Sequence, residues 1–275
     1  MKIAISGKGG VGKTTISGTL CRVLGRKGFK VLAIDGDPNP NLSVVLGLPP
    51  IPLTAGQTVR SLTPDLLKHE EDAEGKVHTR LGSSVEEVIK DFGVQASDNV
   101  TLLMVGKPDH AGTGCMCSSH AIVREVIHAV VSESNRVTVL DMEASLEHLK
   151  RGTTKYVDAL YIVVEPYYRS LEMAQRIEPL AKELGIQRIF VVANKVKNPD
   201  EEEAIRQFCR HNDLQLVAAI PFDPKVVEAE KFGRSPFDYD EESRAVQKIL
   251  EITRLVSIFE IFDSRAEALK VFSKI

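Results

Sequence analysis

The chain has 275 residues, 35 Lys and Arg against 38 Asp and Glu for a net charge of −3, and 43% hydrophobic residues. This balance leaves no basic footprint for nucleic acid at the level of composition, and no apolar run approaches the ~20 residues of a membrane span. Four cysteines in such a length exclude a disulfide scaffold.

The chain alternates strand and helix. A short apolar run at Ile3–Ile5 is followed by a helix carrying Ile16, Leu20, Val23 and Leu24 and stopped by Gly28. Further apolar runs fall at Val31–Asp35, Thr101–Val105, Val137–Asp141, Leu160–Val164, Ile189–Asn194 and Leu216–Ile220, with helical stretches at Ala121–Ser132, Ser170–Leu184 and Glu201–His211. Runs apolar on both faces are what strands covered by helices on both sides require. The expectation is an α/β fold, one domain over residues 1–275, with a mostly parallel twisted sheet and helices on both faces. Leu48–His78, rich in proline and mixed charge, reads as an excursion within that domain, and 258–275 as a C-terminal helical extension. The first residues run directly into a strand and leave no room for a signal peptide, so a cytoplasmic location with reduced thiols and no membrane association is expected.

Between the first strand and helix lies Gly7-Lys8-Gly9-Gly10-Val11-Gly12-Lys13-Thr14-Thr15, which fits G-x-x-x-x-G-K-[ST]. Its backbone N–H groups wrap nucleotide phosphates, and its glycines allow the turns and close approach that a Cβ would block. Lys13 reaches the β- and γ-phosphates, Thr14 coordinates Mg²⁺, and the helix N-terminus adds partial positive charge. Ligands of such sheets sit beyond the carboxyl ends of the strands, and three strand ends carry candidates. Asp35 and Asp37 end the second strand, where two carboxylates one residue apart serve Mg²⁺ and a water. Asp141 ends Val137–Asp141 as a Walker B aspartate for Mg²⁺. Asn194-Lys195 ends another strand, and Lys197 stands where a guanine-reading N-K-x-D motif needs aspartate, which favours ATP over GTP.

Cys115-Met116-Cys117 is a C-x-C pair in a glycine-bearing segment before a helix. A helix N-terminus favours thiolate, residues two apart on an extended backbone point the same way, and a bridge between such neighbours is strained. The pair therefore reads as a metal site for Zn²⁺ or Ni²⁺. Both metals take four ligands in thiolate-rich sites. A two-fold dimer brings two pairs together and completes the set, whereas His110 or His120 would complete it within one chain. Cys21 and Cys209, each alone in a helix, read as core residues.

Lys8, at the tip of the loop, resembles the extra lysine of the deviant Walker A motif K-G-G-x-G-K-[ST] of the MinD/ParA/nitrogenase-iron-protein class. That resemblance implies a homodimer in which Lys8 crosses to the partner's nucleotide. It also implies that Asp37 orients the attacking water and that Asn194 reads adenine with the help of Pro221-Phe222-Asp223. With Asp35-Gly36-Asp37-Pro38-Asn39, Gly114–Cys117, Asp141-Met142-Glu143-Ala144, Glu147-His148-Leu149 and Arg151-Gly152-Thr153, nearly the whole chain resembles the CooC-type nickel-insertion ATPases. The implied activity is ATP hydrolysis coupled to nickel delivery into carbon monoxide dehydrogenase, acetyl-CoA synthase or another nickel enzyme, with Ni²⁺ or Zn²⁺ on Cys115 and Cys117 of both subunits. Two alternatives stay open: an iron–sulfur reductase or cluster carrier of the nitrogenase-iron-protein class, for which residues 142–155 lack a cysteine, and a positioning ATPase of the MinD/ParA type.

Overall fold

The computed structural model describes residues 1–37, 39–48, 61–72, 74–75, 77–96, 99–105, 116–131, 133, 135–143, 149 and 152–261, without the side chains of 116–119 and 254–261. In chain order, β1 (Lys2–Gly7) leads through the phosphate loop into α1 (Lys13–Arg26), then β2 (Lys30–Asp35) and a one-turn α2 (Leu42–Val45). A hairpin of β3 (Leu67–Glu71) and β4 (Val77–Leu81) precedes α3 (Val85–Phe92), β5 (Val94–Gln95), β6 (Val100–Met104), α4 (Met116–Ala129) and β7 (Arg136–Asp141). The remainder is β8 (Ala159–Val164), α5 (Tyr168–Glu183), β9 (Arg188–Val196), α6 (Pro199–His211), β10 (Leu216–Pro221), α7 (Pro224–Lys231), α8 (Pro236–Tyr239) and α9 (Arg244–Ile261).

The sheet has eight strands in the order β10-β9-β8-β1-β7-β2-β6-β5. All neighbours are parallel except β5 on β6. Alternate residues of each strand therefore feed two cores. On one face Ala4, Ile34 and Leu140 pack with α3, α4, α5 and α6 through Val88, Ile122, Ile177 and Ile205. On the other, Ile3, Ile5 and Val139 pack with α1 and α9 through Ile16, Leu20, Ile249 and Ile252. Each fully buried aliphatic side chain contributes about 1.5–3 kcal/mol. Cys21 and Cys209 are buried in these layers, and burial raises both thiol pKa values, that of Cys209 to about 11.

Two devices fix the site from behind. Arg22 of α1, 3% exposed, donates to both carboxylate oxygens of Asp238 at 2.6 and 2.7 Å and to Leu46 O at 3.1 Å, tying α1 to α8 and to the turn after α2. Gly18 lets α2 lie on α1, because a Cβ there would stand 2.5 Å from Val45 Cγ1.

The structure adds to one sequence expectation and corrects another. The hairpin of residues 67–81 lies at the end of the excursion expected at 48–78 and just beyond it, with exposed, mostly charged side chains on β3. And α4 begins at Met116, five residues before the expected Ala121, since nothing between them breaks a helix. Cys117 therefore belongs to a helical turn, and the extended-backbone argument for two co-facing thiols does not hold there. Residues 258–261 are helical within α9, while 262–275 lie outside the described residues.

Candidate nucleotide site

β1 is central, and its carboxyl end opens into the phosphate loop between β7 and β8. Gly7, Gly10 and Gly12 have φ of 143°, 82° and 92°. At Gly7 a Cβ would meet Val163 O at 2.4 Å, and at Gly12 it would meet Asn194 Nδ2 at 2.4 Å, whereas nothing lies within 4 Å of one at Gly10. The loop is thus pressed against β8 and β9 on one side and open on the other, the shape of a cradle for phosphate. Val11 is fully buried beneath it.

Lys13 is 8% exposed and donates to Lys8 O at 3.2 Å. Burial lowers its pKa, and the carboxylates of Asp141, Asp37 and Glu143 oppose that shift. Three acidic side chains from two strand ends therefore surround one ammonium. Asp141 is buried and accepts a hydrogen bond from Ser17 Oγ at 2.9 Å and another from the Thr14 hydroxyl. Burial, reinforced by the charge of Asp35, pushes its pKa up to about 7 despite those bonds and the charge of Lys13. Glu143, two residues on, is raised by burial and then by Asp37, against Lys13.

Asp35 has a different task from its neighbour. It is fully buried and accepts N–H bonds from Asp37 at 3.1 Å, Asn41 at 2.9 Å and Leu42 at 2.9 Å. Burial pushes its pKa up to about 6, with the three N–H groups opposing. It holds the turn that presents Asp37, whose own Oδ1 accepts from Asn39 N at 2.8 Å.

Asn194, 8% exposed, donates from Nδ2 to Val11 O at 2.7 Å, so it braces the phosphate loop. Phe222 is 44% exposed with Lys197 Nζ 6.0 Å above its ring, and Phe222 N donates to Val196 O at 2.8 Å. Asp223 caps α7 through Lys225 N at 2.9 Å and reaches Ala245 N at 3.2 Å. Burial would raise the Asp223 pKa, but these bonds, with others from Ser243 and Arg244, outweigh it and hold it below the usual carboxylate value.

The donor set fits Mg²⁺ with a nucleoside triphosphate. One or two carboxylates, a threonine hydroxyl and phosphate oxygens are what Mg²⁺ uses, in preference to an all-protein cage. Among the described residues no group of three or more His, Cys, Asp or Glu side chains could hold a metal by itself. Cys115 and His110 lie outside the described residues, as does the side chain of Cys117; His120 is 3% exposed on α4. The sequence reading assigned no role to Glu143, whose charge acts on Lys13, although its place two residues after the Walker B aspartate is a usable signal.

Residues 2–237 match the sequence profile of the CobQ/CobB/MinD/ParA nucleotide-binding domain. The chain is 39% identical over 240 residues to the carbon monoxide dehydrogenase accessory protein CooC of Rhodospirillum rubrum, covering 86% of this chain and 90% of that one. It is 35% identical over 257 residues to an ATP-binding protein of Methanocaldococcus jannaschii, covering 92% and 96%. Among solved structures, the septum site-determining protein MinD of Pyrococcus horikoshii with Mg-ADP superposes with a TM-score of 0.68 at 24% identity, covering 93% and 95%. A ParA family ATPase of Chlorobium tepidum gives 0.65 at 20%, covering 91% and 96%. With the loop, the buried lysine and the Walker B aspartate assembled at the end of β1, the chain belongs to the CobQ/CobB/MinD/ParA nucleotide-binding family and is a P-loop ATPase.

Proposed function

We propose that the chain is a cytoplasmic ATP-driven metallochaperone that delivers Ni²⁺ to carbon monoxide dehydrogenase, acetyl-CoA synthase or a related nickel enzyme, working as a homodimer. The observation that carries this reading is a C-x-C pair, its second cysteine in the first turn of α4, in a chain 39% identical to a carbon monoxide dehydrogenase accessory protein. β6, which precedes the pair in sequence, runs parallel to β2 in the same sheet as β1, so its carboxyl end lies on the sheet edge that bears the phosphate loop. Cys115 and Cys117 of two subunits supply four thiolates to one ion, which can be Ni²⁺ or Zn²⁺.

At the nucleotide site the backbone N–H groups of residues 9–15 hold the phosphates and Lys13 neutralises their charge. Thr14 and Asp141 would hold Mg²⁺, which would supply charge neutralisation at the phosphates. Asp37, held out by the Asp35 turn, orients the water and accepts its proton as oxygen bonds to the γ-phosphorus and the bond to ADP breaks. Lys8 serves the partner subunit's nucleotide, and Asn194 with Pro221-Phe222-Asp223 lies against the base.

Both sites then depend on one subunit interface, so the nucleotide state sets the sulfur–sulfur geometry that the metal needs. Coupling of this kind is reciprocal and worth about 1–3 kcal/mol, roughly 5- to 150-fold in affinity. Calorimetry of Ni²⁺ into nucleotide-free, ADP-loaded and non-hydrolysable-ATP-loaded protein should give affinities differing by such a factor. Equal affinities would remove ATP-gated release, and absence of tight Ni²⁺ binding in every state would remove the metal assignment.

A further inference from the structure

β9 is irregular where it passes the phosphate loop. Its pairing with β10 slips between Ala219↔Ala193 and Pro221↔Val196, which inserts an extra residue at Asn194–Lys195. Lys195 there has φ 57°, a left-handed conformation inside a nine-residue strand. A non-glycine residue pays a steric penalty for that geometry, and bulges of this kind commonly re-aim a side chain beside a functional site.

The re-aimed side chain has two partners. Lys195 Nζ donates to Gly10 O at 2.6 Å and pairs with Glu165 Oε1 at 2.7 Å. Glu165 follows β8, and its own N–H donates to the buried Ser170 Oγ at 3.0 Å. Asn194, the other bulge residue, holds Val11 O at 2.7 Å. Two consecutive carbonyls of the phosphate loop are therefore gripped from β9.

In a planar trans peptide the C=O and the following N–H point in opposite directions. Anchoring Gly10 O toward Lys195 turns Val11 N–H away from β9, and anchoring Val11 O toward Asn194 does the same for Gly12 N–H. Both donors are thereby turned to the side of the loop away from β9. The cation also polarises the Gly10–Val11 peptide and makes its N–H a stronger donor.

We infer that Lys195, steadied by Glu165, is a positioning residue that presets the phosphate loop for nucleotide through the Gly10 carbonyl. It acts without touching the phosphates, and the inference needs only the nucleotide site, independent of the metal proposed for Cys115 and Cys117. The test compares Lys195→Gly, Lys195→Met and Lys195→Arg in the full chain by calorimetric titration with MgADP, steady-state ATP hydrolysis and thermal melting. Lys195→Gly and Lys195→Met should each weaken MgADP about ten-fold, the loss of one charge-assisted hydrogen bond. KM for ATP should rise to match while kcat stays within about three-fold, and Lys195→Arg should recover most of the affinity. Lys195→Gly should melt above Lys195→Met, because glycine adopts φ 57° without strain. A purely structural lysine would move stability and affinity together, whereas here the glycine variant separates them. MgADP affinity within two-fold of wild type in the glycine variant, which is the one least able to misfold, would overturn the assignment. So would a loss of affinity in Lys195→Arg equal to that in Lys195→Met.

Discussion

Ser17 Oγ of α1 donates to Asp141 Oδ1 of β7 at 2.9 Å, binding the second turn of the nucleotide helix to a carboxylate buried in the sheet. Asp141 has a folded pKa of about 7, above the usual carboxylate value of ~4 because of burial and the charge of Asp35. A carboxylate raised on folding favours the folded state below pH ~4, and that contribution is lost as pH rises through about 7. Nucleotide-free protein should therefore lose stability between about pH 4 and 7 relative to Asp141→Asn, which cannot ionise. Urea unfolding of the two proteins should show a gap widening by about 1–4 kcal/mol across that range. A constant gap would mean that Asp141 does not titrate there.

Asp37→Ala should bind MgATP as wild type does and lose hydrolysis by at least about 100-fold, the usual scale of general-base loss. Asp35 should behave differently, because its carboxylate accepts three backbone N–H bonds and supports the turn. Asp35→Ala should lower both stability and activity. Phosphate release and nucleotide titration on the two variants separate the roles.

Lys8→Ala should leave the monomer's melting temperature unchanged, since Lys8 is exposed and its carbonyl, rather than its side chain, receives the bond from Lys13. It should weaken ATP-dependent dimerisation and hydrolysis. Sedimentation with and without ATP reads this directly, and the same monomer–dimer balance in both proteins and both conditions would place Lys8 outside the interface.

Cys115→Ser or Cys117→Ser should abolish tight Ni²⁺ binding and leave MgADP binding intact. The wild type should bind one ion per dimer, measured by metal analysis after gel filtration. One ion per monomer would favour a site completed locally, with His120 the nearest described candidate one helical turn beyond Cys117.

Asp238→Ala should destabilise the fold by about 2–4 kcal/mol, because it strands the buried Arg22 guanidinium without its carboxylate. Chemical denaturation measures this. Asp238 is itself 37% exposed, so solvent access places the value below that of a wholly buried pair.

The sheet was legible because parallel strands between two helical layers must be apolar on both faces, so Val31–Asp35 and Leu160–Val164 stand out as unbroken runs. α6 was legible as the helical stretch Glu201–His211, although it starts two residues earlier, at Pro199 behind the Asn198 cap. The hairpin was not, because Lys68, His69, Glu70 and Glu71 are all exposed and leave no alternation to read. At the site, motif spacing marked the loop and Asp141 correctly as neighbours. It gave no sign that Asn194 and Lys195 hold the loop's carbonyls, since those bonds join residues 183 and 185 positions apart. Nor could spacing separate Asp35 from Asp37. Only the turn's three N–H bonds show which carboxylate is occupied in support.

The close seating of α2 on Gly18 makes the Asp37 segment a span anchored at both abutments, by Asp35 at one end and by Val45 against α1 at the other. A bridge so held transmits a small displacement of either pier to its middle. Replacing Gly18 with alanine would push one pier outward without altering any charged or phosphate-facing group. For the hydrolysis proposed at Asp37, the rate of the clock would thus be adjustable from a residue that has no chemistry of its own.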